Sequence, residues 1–192
     1  MHTKISEKQE LWWKWIALLM MFMASLIFLN SPGTCDMNSW NNWLDYARQY
    51  GLREGFRMQR DMYPPFTVIL QIAVQRILPS LSNFAVLRLV NTFYLFLSAL
   101  VIHLLYKDAK VTLISFWGLI LNANLGYLDI EMVPFLVLAF YFLSKERYVL
   151  SSIFFSVVCL IKFQPLIIIP FVAIYFVDIL NPGGVNSNCI SA

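Results

Sequence analysis

"FTVILQIAVQRIL", residues 66–78, is the stretch on which the fold turns. It is apolar, yet it carries Gln71, Gln75 and Arg76. Gln71 and Gln75 are four apart and so share one helix face. At about 1.5 Å per residue the segment reaches only ~20 Å, short for a membrane crossing. It is either a short span or a helix lying in the membrane surface. The choice reverses the orientation of everything that follows.

A membrane is implied by composition. The chain has 192 residues, 59% hydrophobic and 13% charged, against roughly 25% charged in soluble domains. No soluble core of this size holds so many apolar side chains. The net charge of +3 is too small to argue for nucleic acid. Cys35, Cys159 and Cys189 lie far apart, without metal-ligand spacing and without the pattern of a disulfide framework.

Spans need about 20 mostly apolar residues. Residues 11–29, 84–106 and 111–128 qualify, and 130–143, 148–161 and 166–180 are shorter candidates. No clear Ala-x-Ala site follows the first, which reads as an uncleaved anchor. Short cytoplasmic loops are enriched in Lys and Arg. If 66–78 does not cross, then Lys4, Lys8, the loop Lys107-Asp108-Ala109-Lys110 and the loop Lys145-Glu146-Arg147 all face the cytoplasm. If it crosses, both basic loops move outside. The first arrangement is preferred, although it places Arg48, Arg53, Arg57 and Arg60 outside, partly offset by Asp36, Asp45, Glu54 and Asp61. The expected fold is therefore all-α: a polytopic transmembrane bundle of about six spans. A cytoplasmic tail (1–10) precedes the core (11–180), and an uncharged tail (181–192) follows it. One or two interfacial helices lie in the first outer loop (30–83).

This topology gathers polar residues at one membrane level. Asp36, Asp61 and Tyr63-Pro64-Pro65 fall outside. Arg88 sits about one turn inside the second span. Asn122, Asn124, Asp129, Glu131, Lys162 and Gln164 lie near outer ends. Ionisable residues in apolar segments are costly, and by default they suggest function. Acids, cations and amides at one depth suit a charged, lipid-linked substrate. Trp40, Trp43, Leu44 and Ala47 follow i, i+3, i+4, i+7 spacing. They predict an amphipathic helix with its tryptophans at headgroup depth.

Each residue also has a plainer reading. Asp36 is either an N-cap of the tryptophan helix or a catalytic carboxylate. Asp61 suits a turn before the prolines. Lys162 either snorkels to headgroups or meets a phosphate. Arg88 pairs with a lipid phosphate or with an acid on a neighbouring helix. Asp129 and Glu131 serve equally as helix terminators, and His103 reads as a packing or hydrogen-bonding residue.

The ordered set "GTCDMNSW", "DMYPPFTVIL", "NANLGYLDIEMVPF" and "CLIKFQPLIIIPF" resembles the GT-C superfamily of integral membrane glycosyltransferases, in its bacterial and mannosyltransferase-like branch. The likeness covers about residues 11–180. One residue separates Asp61 from Tyr63 where the family motif has none, and Tyr127 stands where glutamine is usual. The resemblance implies transfer of a sugar from a polyprenyl-phosphate donor to an acceptor at the outer face of a bacterial inner membrane. It implies Asp36 as general base, taking the proton of the attacking hydroxyl. Arg88 or Lys162 would stabilise the leaving phosphate. Asp61, Tyr63, Asn122, Asp129 and Gln164 would complete the substrate site. Some members use a divalent metal, but no metal ligands are assigned here. Related enzymes are longer, so the chain is expected to be an N-terminal portion, inactive without a second chain supplying further helices. The runner-up is a non-catalytic polytopic protein, a transporter fragment or a partner subunit.

Overall fold

Helix starts and stops follow local chemistry. Pro64 is extended (φ −62°, ψ 163°) and delivers the chain into a helix opened by Pro65, where a missing N–H costs nothing. Ser82 accepts a hydrogen bond from the Ala85 N–H at 3.2 Å and starts the longest helix. Asp108 accepts from the Lys110 N–H at 2.7 Å and starts the next. Gly126 ends that helix at φ +81°, a left-handed conformation that suits glycine.

The computed structural model describes residues 7–28, 32–59, 64–171 and 174. They form α1 (Glu7–Phe28), α2 (Asp36–Tyr50), α3 (Leu52–Gln59), α4 (Pro65–Ile77), α5 (Asn83–Tyr106), α6 (Ala109–Leu125), α7 (Val133–Ser144) and α8 (Tyr148–Ile161). Short 3₁₀ helices cover Leu128–Met132 and Gln164–Ile168. Among the described residues there is no strand, and the fold is all-α. Among the described residues one helix, Asn83–Tyr106, is long and apolar enough to cross a membrane, and Trp12–Leu26, Phe66–Ile77, Ala109–Leu125 and Tyr148–Ile161 are shorter apolar helices.

The core has two parts. Val86, Val90 and Leu95 of α5 pack with Phe116 and Ile120 of α6 and with Met21 of α1. Next to it, Trp40, Leu44 and Ala47 of α2 pack against Val68 and Ile72 of α4, Leu87 of α5 and Leu128. The sequence places the tryptophan face at lipid headgroups; instead Trp40 is only 3% exposed. Helical periodicity marks a face that needs cover, and α4 and α5 provide it. The polar face is engaged as well. Asn83 Nδ2 donates to Asp45 Oδ1 at 2.6 Å and to Asn41 O at 3.3 Å, while Asn83 Oδ1 accepts from Gln75 Nε2.

α4 lies across one end of the helix bundle. Near its start, Thr67 Oγ1 donates to Ile161 O, the last residue of α8, at 3.5 Å. Near its finish, Gln75 bonds Asn83, the first residue of α5. Between them, Gln71 Nε2 donates to Glu131 Oε1 at 3.2 Å, in the turn before α7. Gln71 and Gln75 do share one face, and that face is turned into the protein. Both are buried, since a polar group removed from water needs a partner.

This network predicts a stability effect. Glu131 is fully buried, and its Oε2 has no hydrogen-bond partner among the described residues. Gln71→Leu removes the bond to Oε1 as well and is expected to destabilise by about 1–3 kcal/mol. Gln71→Leu combined with Glu131→Met is expected to recover part of that loss, because no buried acid is then left stranded. A double-mutant cycle by denaturation in detergent checks both. Additive losses would show that the two side chains are not coupled.

Candidate functional site

The polar cluster is built around the C-terminus of α6. The last four carbonyls of a helix lack intrahelical partners, and here each has one. Asn122 O accepts from the Tyr127 N–H at 3.3 Å, and Ala123 O from the Gly126 N–H at 3.2 Å. Arg88 Nη1 donates to Ala123 O at 3.1 Å and to Asn124 O at 2.7 Å. Leu125 O accepts from the Thr34 N–H at 2.9 Å. The Arg88 guanidinium also lies over the Phe84 ring, 5.2 Å from its centroid. A cation is favourable at this end of a helix dipole. Arg88 is thus a buried clamp, 3% exposed, which the sequence offered only as a partner for a phosphate or an acid.

The same contacts fix the chain leading into Asp36. Gly33 has φ +74°, and a Cβ there would stand 2.6 Å from Met37 Cγ and 2.9 Å from Arg88 Nη2. Met37 also fills the space beside Gly126, where a Cβ would lie 2.4 Å from its sulfur. Two glycines therefore let residues 33–37 seat on the end of α6. Asp36 is the first residue of α2 and is exposed. The capping position belongs to Cys35, which makes no side-chain cap hydrogen bond. Asp36 is therefore held by backbone contacts around it, with its carboxylate at the surface.

On the far side of the cluster, Lys162 Nζ forms an ion pair with Asp129 Oδ1. The pair ties the end of α8 to the 3₁₀ turn before α7, and both side chains keep some exposure, 15% and 29%. Gln164 opens the second 3₁₀ helix and is exposed. Asn122 keeps its side-chain Oδ1 buried without a partner among the described residues. So do Asn91 Oδ1 and Thr34 Oγ1, and each such group asks for a bound water or ligand. Asp61 and Tyr63 lie outside the described residues.

Of the residues expected at the site, the structure brings Asp36, Arg88, Asn122, Asp129 and Lys162 to one end of the bundle. The turns carrying Lys107, Lys110, Lys145 and Arg147 lie at the other ends of the same helices. Sequence reading placed Glu131 in the outer polar cluster, with helix termination as its plainer role, but did not foresee its complete burial, and it passed over Thr34 and Asn91. For Glu131 the signal was available, because an acid four residues ahead of Phe135 in an apolar run has few ways to meet water. Thr34 and Asn91 carry no such signal. No group of His, Cys, Asp or Glu side chains suited to a metal ion occurs among the described residues. No family model, curated protein or solved structure matches the chain.

Proposed function

We propose that this chain is a polytopic membrane protein of the GT-C type, resident in a bacterial inner membrane, that transfers a sugar from a polyprenyl-phosphate donor at its outer face. One observation carries the reading: Asp36, Asp129, Lys162 and the Arg88-clamped end of α6 meet at one end of a mostly apolar helix bundle, and the basic turns sit at the other. The positive ends face the cytoplasm. α4 supports this orientation, because its two ends hold the outer ends of α8 and α5, so it bridges the bundle without adding a crossing. α2, α3 and α4 then form an outer cap.

The chemistry assigned to the cap is simple. An acceptor hydroxyl attacks the anomeric carbon, its proton passes to the Asp36 carboxylate, and the bond to the polyprenyl phosphate breaks. Lys162 faces the developing phosphate charge, with Asp129 holding the amine in place until the donor arrives.

The test is transfer in membranes in which the chain is expressed together with the proteins encoded beside it. A panel of polyprenyl-phosphate sugars serves as donor. The expected result is transfer of one of them that depends on this gene. Equal transfer by membranes lacking the gene, for every donor, would overturn the proposal.

A further inference from the structure

A groove of about 620 Å³ runs along the inner half of the bundle, away from the polar cap. Its size falls in the roughly 300–1,000 Å³ range of small-molecule sites. Three alanines open it. Ala17 of α1, Ala99 of α5 and Ala109 of α6 stand where bulkier side chains would close the gap. Leu18 and Met21 on one wall face Phe96, Leu97 and Leu100 on the other.

One end of this groove is polar. Lys14, His103 and Thr112 line it there. His103 Nδ1 lies 3.2 Å from Thr112 Oγ1, and that hydroxyl donates to Asp108 O at 2.8 Å. The hydroxyl proton is therefore used, and His103 donates into the pair from Nδ1. The adjoining turn carries Lys107 and Lys110, both exposed. Its one acid, Asp108, is occupied with the Lys110 and Val111 N–H groups of α6. Glu10, a turn before Lys14, is the nearest acid in the sequence of α1.

An apolar trough with a cationic mouth has the shape and charge of a lipid tail and its headgroup. We infer that this groove holds one anionic glycerophospholipid of the inner leaflet, its acyl chain between α1 and α5 and its phosphodiester at Lys14, His103 and the Lys107–Lys110 turn. The inference rests on the membrane reading above, because only that reading places this end of the bundle at a cytoplasmic leaflet. It concerns a site distinct from the outer cap. The lipid fills the space between α1 and α5, beside the direct packing of Met21 in the core.

The experiment uses the full chain in nanodiscs of equimolar phosphatidylglycerol and phosphatidylcholine, with retained lipids counted by native mass spectrometry. The expected result is one retained lipid, with phosphatidylglycerol favoured. A basic residue near a membrane surface is worth about a fivefold preference, so Lys14→Gln with Lys110→Gln is expected to bring the ratio down at least that far. Leu100→Trp, at a half-exposed groove position, is expected to abolish retention while helicity stays unchanged. Equal retention of both lipids by the parent chain, or retention unaffected by Leu100→Trp, would overturn the inference. Preferential retention of added polyprenyl phosphate over phosphatidylglycerol would also overturn it. Release of the chain from cell membranes by alkaline carbonate is a separate outcome, which would remove the membrane reading itself.

Discussion

Asp36→Asn is expected to lower sugar transfer by about 10²–10⁴-fold, the contribution of a positioned general base, while leaving the folded protein intact. The geometry separates these two effects. Asp36 is exposed and opens α2, and the capping position is taken by Cys35. The substitution therefore breaks no capping bond. It removes a negative charge from the first turn, worth about 0.3–1 kcal/mol against the helix dipole. Residues 33–37 remain seated through the Thr34 N–H on Leu125 O and through Met37 over the two glycines. Thermal unfolding of the variant checks integrity, and single-turnover transfer checks chemistry. Near-normal transfer with normal folding would remove Asp36 from the mechanism and leave it a surface acid.

Arg88→Met is expected to have the opposite signature: a large loss of stability. The side chain is 3% exposed and bonds two carbonyls. Ala123 O keeps its bond from the Gly126 N–H, but Asn124 O loses the partner shown here. A part-buried carbonyl loses its charged donor, and the cation at the end of α6 is gone. Together these are expected to cost about 2–4 kcal/mol, a drop in apparent Tm of roughly 5–15 °C. Because the same arginine abuts Gly33, the loop that carries Asp36 loosens too. Arg88→Lys is not expected to restore stability, since a single ammonium does not reproduce the planar fork. Unchanged Tm with lost binding of a polyprenyl phosphate would instead make Arg88 a ligand for the donor.

The sequence made some of this legible and hid the rest for physical reasons. Helix positions were readable because apolar runs of the right length stand out, although the span read as 111–128 ran past Gly126, whose left-handed turn ends α6 at Leu125. The shared face of Gln71 and Gln75 followed from spacing alone. What that face touches did not, because periodicity says which side of a helix needs cover and never what provides it. The same limit applies to Trp40, which packs on α4 and α5 where lipid headgroups were expected. The meeting of Asp129 with Lys162 spans 33 residues. Only the order of helix ends hinted at it, through the charges of the intervening loops. Arg88 was noticed as an ionisable group in an apolar helix, but its partners are backbone carbonyls, and these have no signature in a sequence.

The proposed function requires the polar end of the bundle, capped by α2, α3 and α4, to face out and the basic turns to face in. Single-cysteine labelling in intact cells tests it most directly, with the three native cysteines replaced. Glu54→Cys in α3 and Asp108→Cys between α5 and α6 are the two probes. The expected result is that an impermeant maleimide modifies the cysteine at position 54 in intact cells and reaches position 108 only after the membrane is opened. Labelling of position 108 in intact cells, with position 54 protected, would contradict it.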